Sequence, residues 1–286
     1  MNLRAVITLL MLAGVSCLSA QTKPMALMEI PLDLTVPAVT HGAPAPAKRV
    51  PLTTVGWECT AVHHVLYLPT DWQPGKKLPV FIEYAGNPYD HGSGNAGDGT
   101  VESCVMGYGI SAGKGMIWAS LPFIEESGGL VQSASRWWGD VEMTRDYCVE
   151  TVRDICARYG GDPQRVFIGG FSRGAIAANL IGLHDDEIAS LWRGFVCHSH
   201  YDGSRRWPRD GGREAVIGRL RRLGNRPQFI SHEIEPWETR RWLGVTGITG
   251  DWTFVSLPFP EHSGAWVLRD LPERKRLREW MARVME

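Results

Sequence analysis

The stretch of sequence with the clearest chemical potential is residues 170–174, Gly-Phe-Ser-Arg-Gly. An apolar run, residues 166–169, precedes it, and a helix-forming run, residues 175–180, follows it. A G-x-S-x-G pattern between a strand and a helix is typical of a nucleophile elbow, because the serine occupies a sharp turn and the glycines let the strand and helix approach closely. The pattern predicts that Ser172 is a nucleophile at the carboxyl edge of a sheet.

The same pattern also occurs at residues 109–113, around Ser111. Residues 105–108 before it contain a glycine that interrupts the apolar run, and residues 114–121 after it resemble a strand. A nucleophile elbow needs a strand before the serine and a helix after it. This context favours Ser172 over Ser111.

Strand-like and helix-like runs alternate along the rest of the chain. Strands are predicted at residues 62–69, 78–84, 115–123, 194–198, 228–231 and 252–257, and helices at residues 142–159, 213–223 and 273–284. The continuous apolar run at residues 78–84 indicates a strand buried on both faces. The alternation predicts a doubly wound, mostly parallel sheet flanked by helices, in a single α/β domain at residues 52–286.

The composition is that of an ordinary globular protein, with 44% hydrophobic and 21% charged residues in a chain of 286. The net charge of −1, with interspersed signs, provides no basic face and argues against nucleic-acid binding. The chain contains twelve tryptophans, whose ring faces suit a protein that handles sugars or aromatic acids, although most of them are expected in the core.

The N-terminus indicates export. Residues 1–20 combine Arg4, an apolar run at residues 5–15 and small residues at the end, as in a secretory signal peptide. The apolar run is too short to span a membrane. We therefore expect a secreted or periplasmic protein, no membrane partner, and a surface arm at residues 21–51 that is rich in proline and alanine.

The cysteines beyond the signal peptide form an odd and scattered set. They are Cys59, Cys104, Cys148, Cys156 and Cys197. This set argues against a dense disulfide framework or a zinc site, so we expect at most one or two bridges and no metal. His198 and His200, at the end of a predicted strand, are expected to line the pocket rather than to bind a metal.

A serine hydroxyl needs a base and a carboxylate that orients the base. In serine hydrolases of this architecture the acid follows the serine in the chain and the histidine comes last. His262, in the loop after the last predicted strand, is therefore the expected base.

The acid is expected just after the predicted strand at residues 228–231. Glu235 lies at about the distance from that strand at which this architecture places its acid, and Glu233 is a close alternative. Glu238, at the start of a predicted helix, and Asp202, in the loop of the preceding strand, are further alternatives.

Backbone N–H groups near the serine are expected to bind the oxyanion. The long polar, glycine-rich segment at residues 85–99 follows an early buried strand, where this architecture places its second oxyanion donor. Gly86 and Asn87 are the candidates, with residues 91–94 as a weaker option. Arg173 begins the helix after the serine, so its N–H group also faces the oxyanion.

Several motifs together resemble a known family. Trp-Trp-Gly-Asp at residues 137–140, Asp-Pro-Gln-Arg-Val-Phe at residues 162–167, the elbow, and His262 near Trp266 are similar to the secreted α/β-hydrolases of the polyhydroxybutyrate depolymerase and feruloyl or acetylxylan esterase type. The resemblance covers residues 79–280. It implies the α/β-hydrolase fold, serine esterase chemistry at Ser172 and His262, and no cofactor.

The chain departs from that family after the serine, where Arg173-Gly174-Ala175 replaces a small residue and two glycines. A serine followed by arginine is similar to the glucuronoyl esterases, and this resemblance implies that the Arg173 guanidinium holds the oxyanion or a substrate carboxylate. The expected substrate is a polysaccharide-linked ester or a polyester. The alternatives are a serine peptidase of the prolyl oligopeptidase type and a non-catalytic carbohydrate-binding homologue.

Overall fold

The computed structural model of the protein describes residues 26–88 and 97–286. The predicted signal peptide at residues 1–20 and the alternative oxyanion segment at residues 91–94 lie outside the described residues. No helix among the described residues is both long enough and apolar enough to cross a membrane.

The described chain alternates strands and helices, as predicted. The strands are β1 (Arg49–Leu52), β2 (His64–Tyr67), β3 (Leu78–Tyr84), β4 (Ile117–Leu121), β5 (Ile124–Ser127), β6 (Leu130–Ser133), β7 (Gly161–Phe171), β8 (Gly194–His198), β9 (Gln228–Glu233) and β10 (Trp252–Leu257). The α-helices are α1 (Met106–Ser111), α2 (Val141–Arg158), α3 (Arg173–Leu180), α4 (Asp186–Ala189), α5 (Gly212–Leu223), α6 (Trp237–Thr246) and α7 (Pro272–Met285). Short 3-10 helices lie at Leu27–Glu29, Val101–Ser103 and Gly264–Leu268.

Eight strands form one sheet in the order β1-β2-β4-β3-β7-β8-β9-β10, and β5 and β6 form a separate hairpin. The pairs β1·β2 and β2·β4 are antiparallel, and every other pair in the large sheet is parallel. This confirms the predicted mostly parallel sheet. Because the parallel strands end at the same edge, the residues that follow β3, β7, β9 and β10 meet there.

The sheet is buried on both faces. In β7, Val166 and Ile168 belong to one hydrophobic core and Phe167 to the other, because successive side chains of a strand point to opposite sides. Helices α2, α3, α5 and α6 cover the first face, and α1 and α7 cover the second. The two-sided cover explains why the central strands are continuous apolar runs in the sequence.

The N-terminal arm differs from the prediction, because part of it belongs to the sheet. Arg49–Leu52 forms β1 and pairs with β2, so the expected domain boundary at residue 52 lies inside a paired strand. Leu27 is buried, and Asp33 is bound by Arg274 of α7 at 2.6 Å. The arm is therefore packed against the body of the domain.

The cysteines in the described part of the chain are all free. One or two bridges were the upper limit expected from the sequence, and the structure contains none among the described residues. Burial raises the pKa of Cys148 and of Cys197, as expected for thiols that act as small apolar core residues.

Candidate active site

Ser172 occupies a strained turn between β7 and α3. Its backbone angles are φ 54° and ψ −114°, a conformation that non-glycine residues rarely adopt. The flanking glycines make the turn possible, because a Cβ atom at Gly170 or at Gly174 would collide with the carbonyl oxygen of Tyr84. The Ser172 N–H group donates to the His198 carbonyl at 3.0 Å, which ties the elbow to β8.

His262 lies between Ser172 and a carboxylate. Its Nε2 atom is 3.0 Å from the Ser172 hydroxyl oxygen, and its Nδ1 atom is 3.0 Å from Oε1 of Glu233. The loop that carries His262 runs from the end of β10 to the 3-10 helix at Gly264–Leu268. The ring of Phe171 packs 4.5 Å from the imidazole, centroid to centroid. The structure thus brings a serine hydroxyl, an imidazole and a carboxylate into one hydrogen-bonded series.

Glu233 is the last residue of β9, and its carboxylate is almost fully buried. Burial alone would raise its pKa, but the hydrogen bond from His262 and the nearby imidazoles of His198 and His262 outweigh burial and lower the pKa to about 2. The group is therefore ionised at neutral pH. An ionised acceptor at Nδ1 favours the tautomer of His262 in which Nε2 can accept the serine proton.

Glu235, the acid favoured by the sequence, does not contact His262, so that assignment is corrected to Glu233. The reason is that β9 continues two residues beyond the predicted end at Ser231. Ile234 then turns the chain with φ 60°, and the Glu235 carboxylate accepts a hydrogen bond from Ser256 at 3.0 Å. Its side chain is about half exposed, at 51%.

The other two alternatives for the acid are also bound elsewhere. Glu238 lies in α6 and pairs with Arg205 at 2.7 Å. Asp202 is fully buried and accepts two hydrogen bonds from Arg219, at 2.8 and 3.2 Å. Both carboxylates are accounted for by these arginines.

His198 and His200 have different surroundings. His198 is buried behind Glu233, and burial lowers its pKa to about 4, so the ring is neutral at neutral pH. Its Nε2 atom lies 3.1 Å from the Ser263 carbonyl, and its Nδ1 atom 3.0 Å from the Ser231 hydroxyl. This pairing fixes Nε2 as the protonated nitrogen. His198 therefore supports the acid and the histidine loop rather than lining a pocket.

His200 lies at the rim of the site, with its ring centroid 5.1 Å from that of His262 and 5.1 Å from that of Trp207. Within residues 26–88 and 97–286, no group of three or more histidine, cysteine or acidic side chains is arranged to hold a metal ion. His200 therefore packs between the rings of His262 and Trp207.

The backbone donors proposed for the oxyanion border the elbow. A Cβ atom at Gly86 would lie 3.4 Å from the carbonyl oxygen of Phe171, so this glycine packs directly against the residue before the nucleophile. Asn87 accepts a hydrogen bond from the Trp137 N–H group at 2.9 Å through its side chain. Arg173 is the first residue of α3, where backbone N–H groups lack helical partners.

The guanidinium of Arg173 has a different place from the one the resemblance implied. Its side chain is buried, with the residue 1% exposed, and its nitrogens donate to the carbonyls of Ala85, Trp137 and Gly99 at 2.9–3.3 Å. The guanidinium also lies 4.2 Å from the ring centroid of Phe123. These contacts hold loops together beneath the site, and they engage each of the three guanidinium nitrogens of a side chain that is closed off from solvent. The guanidinium is therefore a structural clamp.

Replacing Arg173 by methionine is expected to lower the free energy of unfolding by about 2–4 kcal/mol, because buried carbonyls lose their donors. This corresponds to a fall in Tm of roughly 3–7 °C, measurable by thermal denaturation. Activity should fall evenly on all esters. The exposed neighbour Arg136 gives the matched control, since Arg136→Gln should leave Tm unchanged. A stable Arg173→Met protein that fails only on a glucuronate ester would restore carboxylate recognition.

Two half-buried tryptophans form an aromatic surface next to the histidines. The ring centroid of Trp137 lies 6.5 Å from that of Trp207, with the planes tilted by 44°. Asn87 and Arg173 hold the backbone of Trp137, and the Trp207 indole N–H donates to the Tyr201 carbonyl at 3.0 Å. Both rings are thus fixed in place. We call this pair the tryptophan surface.

A cavity of about 350 Å³ lies on another side of the elbow. Its walls include Gly86, Phe171 and Gly264, and the carboxylate of Glu83 is also part of the lining. The Glu83 carboxylate accepts backbone N–H groups at the start of α1, among them that of Gly107 at 2.9 Å. The cavity is large enough for a small substituent.

Two contacts near His262 and Glu233 were not predicted from the sequence. Ser199 lies 2.7 Å from Nδ1 of His262, and His232 lies 3.2 Å from Oε2 of Glu233. Neither stands in a recognisable motif. Consecutive side chains of a strand point to opposite faces, so the sequence gives no signal that the His232 ring would approach the Glu233 carboxylate.

No protein-family model matches the chain, and no curated protein matches it. Among solved structures, an esterase from Rhizomucor miehei has a TM-score of 0.55 at 10% identity, over 83% of this chain and 82% of that one. An S-formylglutathione hydrolase from Agrobacterium tumefaciens has a TM-score of 0.56 at 13% identity, over 82% of this chain and 94% of that one.

A puromycin hydrolase has a TM-score of 0.51 at 11% identity, over 86% of this chain. The match covers 41% of that longer protein. The esterases and the hydrolases share the sheet flanked by helices that residues 26–88 and 97–286 form. The chain therefore has the α/β-hydrolase fold.

Proposed function

We propose that the protein is a serine esterase that cleaves carboxylic esters through an acyl-enzyme. The observation that carries the proposal is the hydrogen-bonded series of Ser172, His262 and Glu233, with the serine on a strained elbow at the carboxyl edge of the sheet. A strained backbone at an exposed nucleophile is a feature of this catalytic arrangement.

In the proposed reaction, Oγ of Ser172 attacks the ester carbonyl carbon while Nε2 of His262 takes the hydroxyl proton. The carbonyl electrons move to oxygen and form a tetrahedral oxyanion. When the oxyanion collapses, the bond to the alkoxy oxygen breaks and His262 gives that oxygen its proton. Water, activated by the same imidazole, then hydrolyses the acyl-serine, and the acid and free serine result. The Glu233 carboxylate stabilises the imidazolium that forms in each half of the reaction.

The N–H groups of Arg173 and of Gly86 or Asn87 are the proposed oxyanion donors. Among the described residues, no hydrogen bond is made by the N–H of Gly86 or of Arg173, so both are available. Two preorganised donors stabilise the developing charge more than water does, because they need no reorganisation during the reaction.

The substrate class we propose is an ester linked to a polysaccharide or a polyester, handled outside the cytoplasm. The tryptophan surface beside His200 suits a flat ring, which indoles bind through their faces. The 350 Å³ cavity beside Gly86 suits a small acyl group. Export rests on the signal-like residues 1–20.

A fluorophosphonate probe tests the proposal, because it reacts only with an activated serine. We expect stoichiometric labelling, located at Ser172 by peptide mass spectrometry, and hydrolysis of p-nitrophenyl acetate and acetylated xylan. Trp207→Leu should raise KM for acetylated xylan and leave KM for ethyl acetate unchanged. A folded wild-type protein that is not labelled would instead be a silent binding homologue, and faster cleavage of peptide p-nitroanilides than of esters would favour the peptidase.

A further inference from the structure

His262, the proposed base, has two hydrogen-bond acceptors close to its Nδ1 atom. Nδ1 of His262 lies 3.0 Å from Oε1 of Glu233 and only 2.7 Å from the hydroxyl oxygen of Ser199. A neutral imidazole with a proton on Nδ1 donates through that single N–H group. The proton is therefore shared between a carboxylate and a hydroxyl that reach it from different strands, β9 and β8.

Ser199 is held firmly where it stands. The residue is 1% exposed and follows β8, and its N–H group donates to the Ser231 carbonyl at 2.8 Å. The preceding residue, His198, accepts the N–H group of Ser172 at 3.0 Å. The hydroxyl of Ser199 is thus fixed relative to both the nucleophile strand and the acid strand.

The backbone at Ser199 is unusual. Its φ angle is 79°, in the left-handed region that glycine adopts without cost and other residues adopt at about 1 kcal/mol or more. A serine in this conformation carries a cost that glycine would remove. The 2.7 Å contact with His262 is the evident gain from keeping the hydroxyl.

His200 sets the direction of the Ser199 hydroxyl. Its Nδ1 atom lies 3.1 Å from the Ser199 oxygen, and burial lowers its pKa to about 3, so this ring is neutral at neutral pH. A neutral His200 with its proton on Nε2 accepts the Ser199 hydroxyl proton at Nδ1. The lone pairs of the serine oxygen then remain for the N–H group of His262.

We propose that Ser199 is a positioning residue, whose hydroxyl is a second acceptor for the Nδ1–H group of His262 and keeps Nε2 directed at Ser172. This inference rests on the proposed esterase function. The two acceptors support the same tautomer, so each one partly compensates for the loss of the other. Glu233 supplies charge, and Ser199 supplies the shorter, geometrically fixed contact.

The test compares Ser199→Ala with Ser199→Gly. Both variants remove the hydroxyl, but only glycine relieves the left-handed strain. We expect kcat on p-nitrophenyl acetate to fall about tenfold in both, with KM unchanged, as for one lost hydrogen bond. Ser204→Ala is the matched control, since that hydroxyl donates to the Tyr201 carbonyl in the same loop and kcat should not change.

The pH dependence of kcat/KM is a second measurement, and it should not change if Ser199 only stabilises the fold. Loss of an acceptor disfavours the imidazolium, so the acidic limb of kcat/KM should move to lower pH by about half a unit in both variants. In the described part of the chain, Glu233 and His200 are titratable groups that face His262. His198 and His232 pack around Glu233, and all four groups are present in both variants.

A double-variant cycle separates this inference from the proposed function. If both acceptors hold His262, Ser199→Ala in a Glu233→Gln background should cost about a hundredfold rather than tenfold, because the carboxylate and the hydroxyl that compensate for each other at Nδ1 are then both lost. Full activity in Ser199→Ala, or recovery in Ser199→Gly, would overturn the positioning role while an active wild type leaves the esterase intact. An inactive, unlabelled wild type would instead overturn the function itself.

Discussion

Replacing Ser172 by alanine is expected to abolish ester hydrolysis and fluorophosphonate labelling while the fold is retained. The members of a triad act as a unit, so the loss of the nucleophile should lower kcat by about 10⁴-fold or more. His262→Ala should cost a similar factor, because the serine then lacks a base within hydrogen-bond reach. Steady-state kinetics with p-nitrophenyl acetate measure both losses, and thermal denaturation checks the fold.

Ser111 provides the matched control, since it lies in the second G-x-S-x-G pattern. The structure places it at the last position of α1, where its hydroxyl donates to the Gly107 carbonyl at 2.9 Å. The residues directly before it are helical, whereas an elbow needs a strand there. Ser111→Ala should therefore hydrolyse esters at the wild-type rate, and an active Ser172→Ala protein would contradict the proposed mechanism.

The elbow could be predicted because its signal is local in the sequence. The glycines at positions 170 and 174 are required by contacts with one backbone oxygen, that of Tyr84, and their spacing around a serine is visible in the sequence. The order of the strands in the sheet could not be predicted from the sequence. The alternation of strand-like and helix-like runs was sufficient to predict a mostly parallel sheet. His262 could be predicted as the base because it follows the last predicted strand.

The acid could not be predicted with the same precision, because it depends on where a strand ends. Strand boundaries are uncertain by a few residues, and a shift of two residues along β9 separates Glu233 from Glu235. The role of Arg173 was missed for another reason. Its guanidinium is bound by carbonyls that lie 36 to 88 residues away in sequence, so only the packed structure shows that it is unavailable to a substrate.

Ser199 lay beyond sequence reasoning altogether. Its left-handed backbone and its contact with His262, 63 residues away, are properties of the assembled edge of the sheet. His198 and His200 were both predicted to line the pocket, but their different degrees of burial give them different positions in the site. His198 is enclosed behind the acid, and His200 stands beside the tryptophan surface.

Glu233→Gln is expected to lower kcat by about 10³–10⁴-fold, because the amide cannot stabilise the imidazolium and favours the wrong tautomer of His262. The residual rate above the uncatalysed reaction should come from the oxyanion donors and from Ser199. Because the pKa of Glu233 is lowered to about 2, its carboxylate is already ionised above pH 3, so its own titration does not set the acidic limb of the wild-type profile.

Glu235→Gln is the matched control, two residues further along the same segment and with the same loss of charge. Its carboxylate is half exposed and bonded to Ser256, so kcat and KM should both stay within about twofold of wild type, as for a surface substitution. Steady-state kinetics of the two variants on one ester decide between the carboxylates. A large loss in Glu235→Gln with a small loss in Glu233→Gln would reverse the assignment, and small losses in both would mean that His262 is oriented without a carboxylate, with Ser199 as its main acceptor.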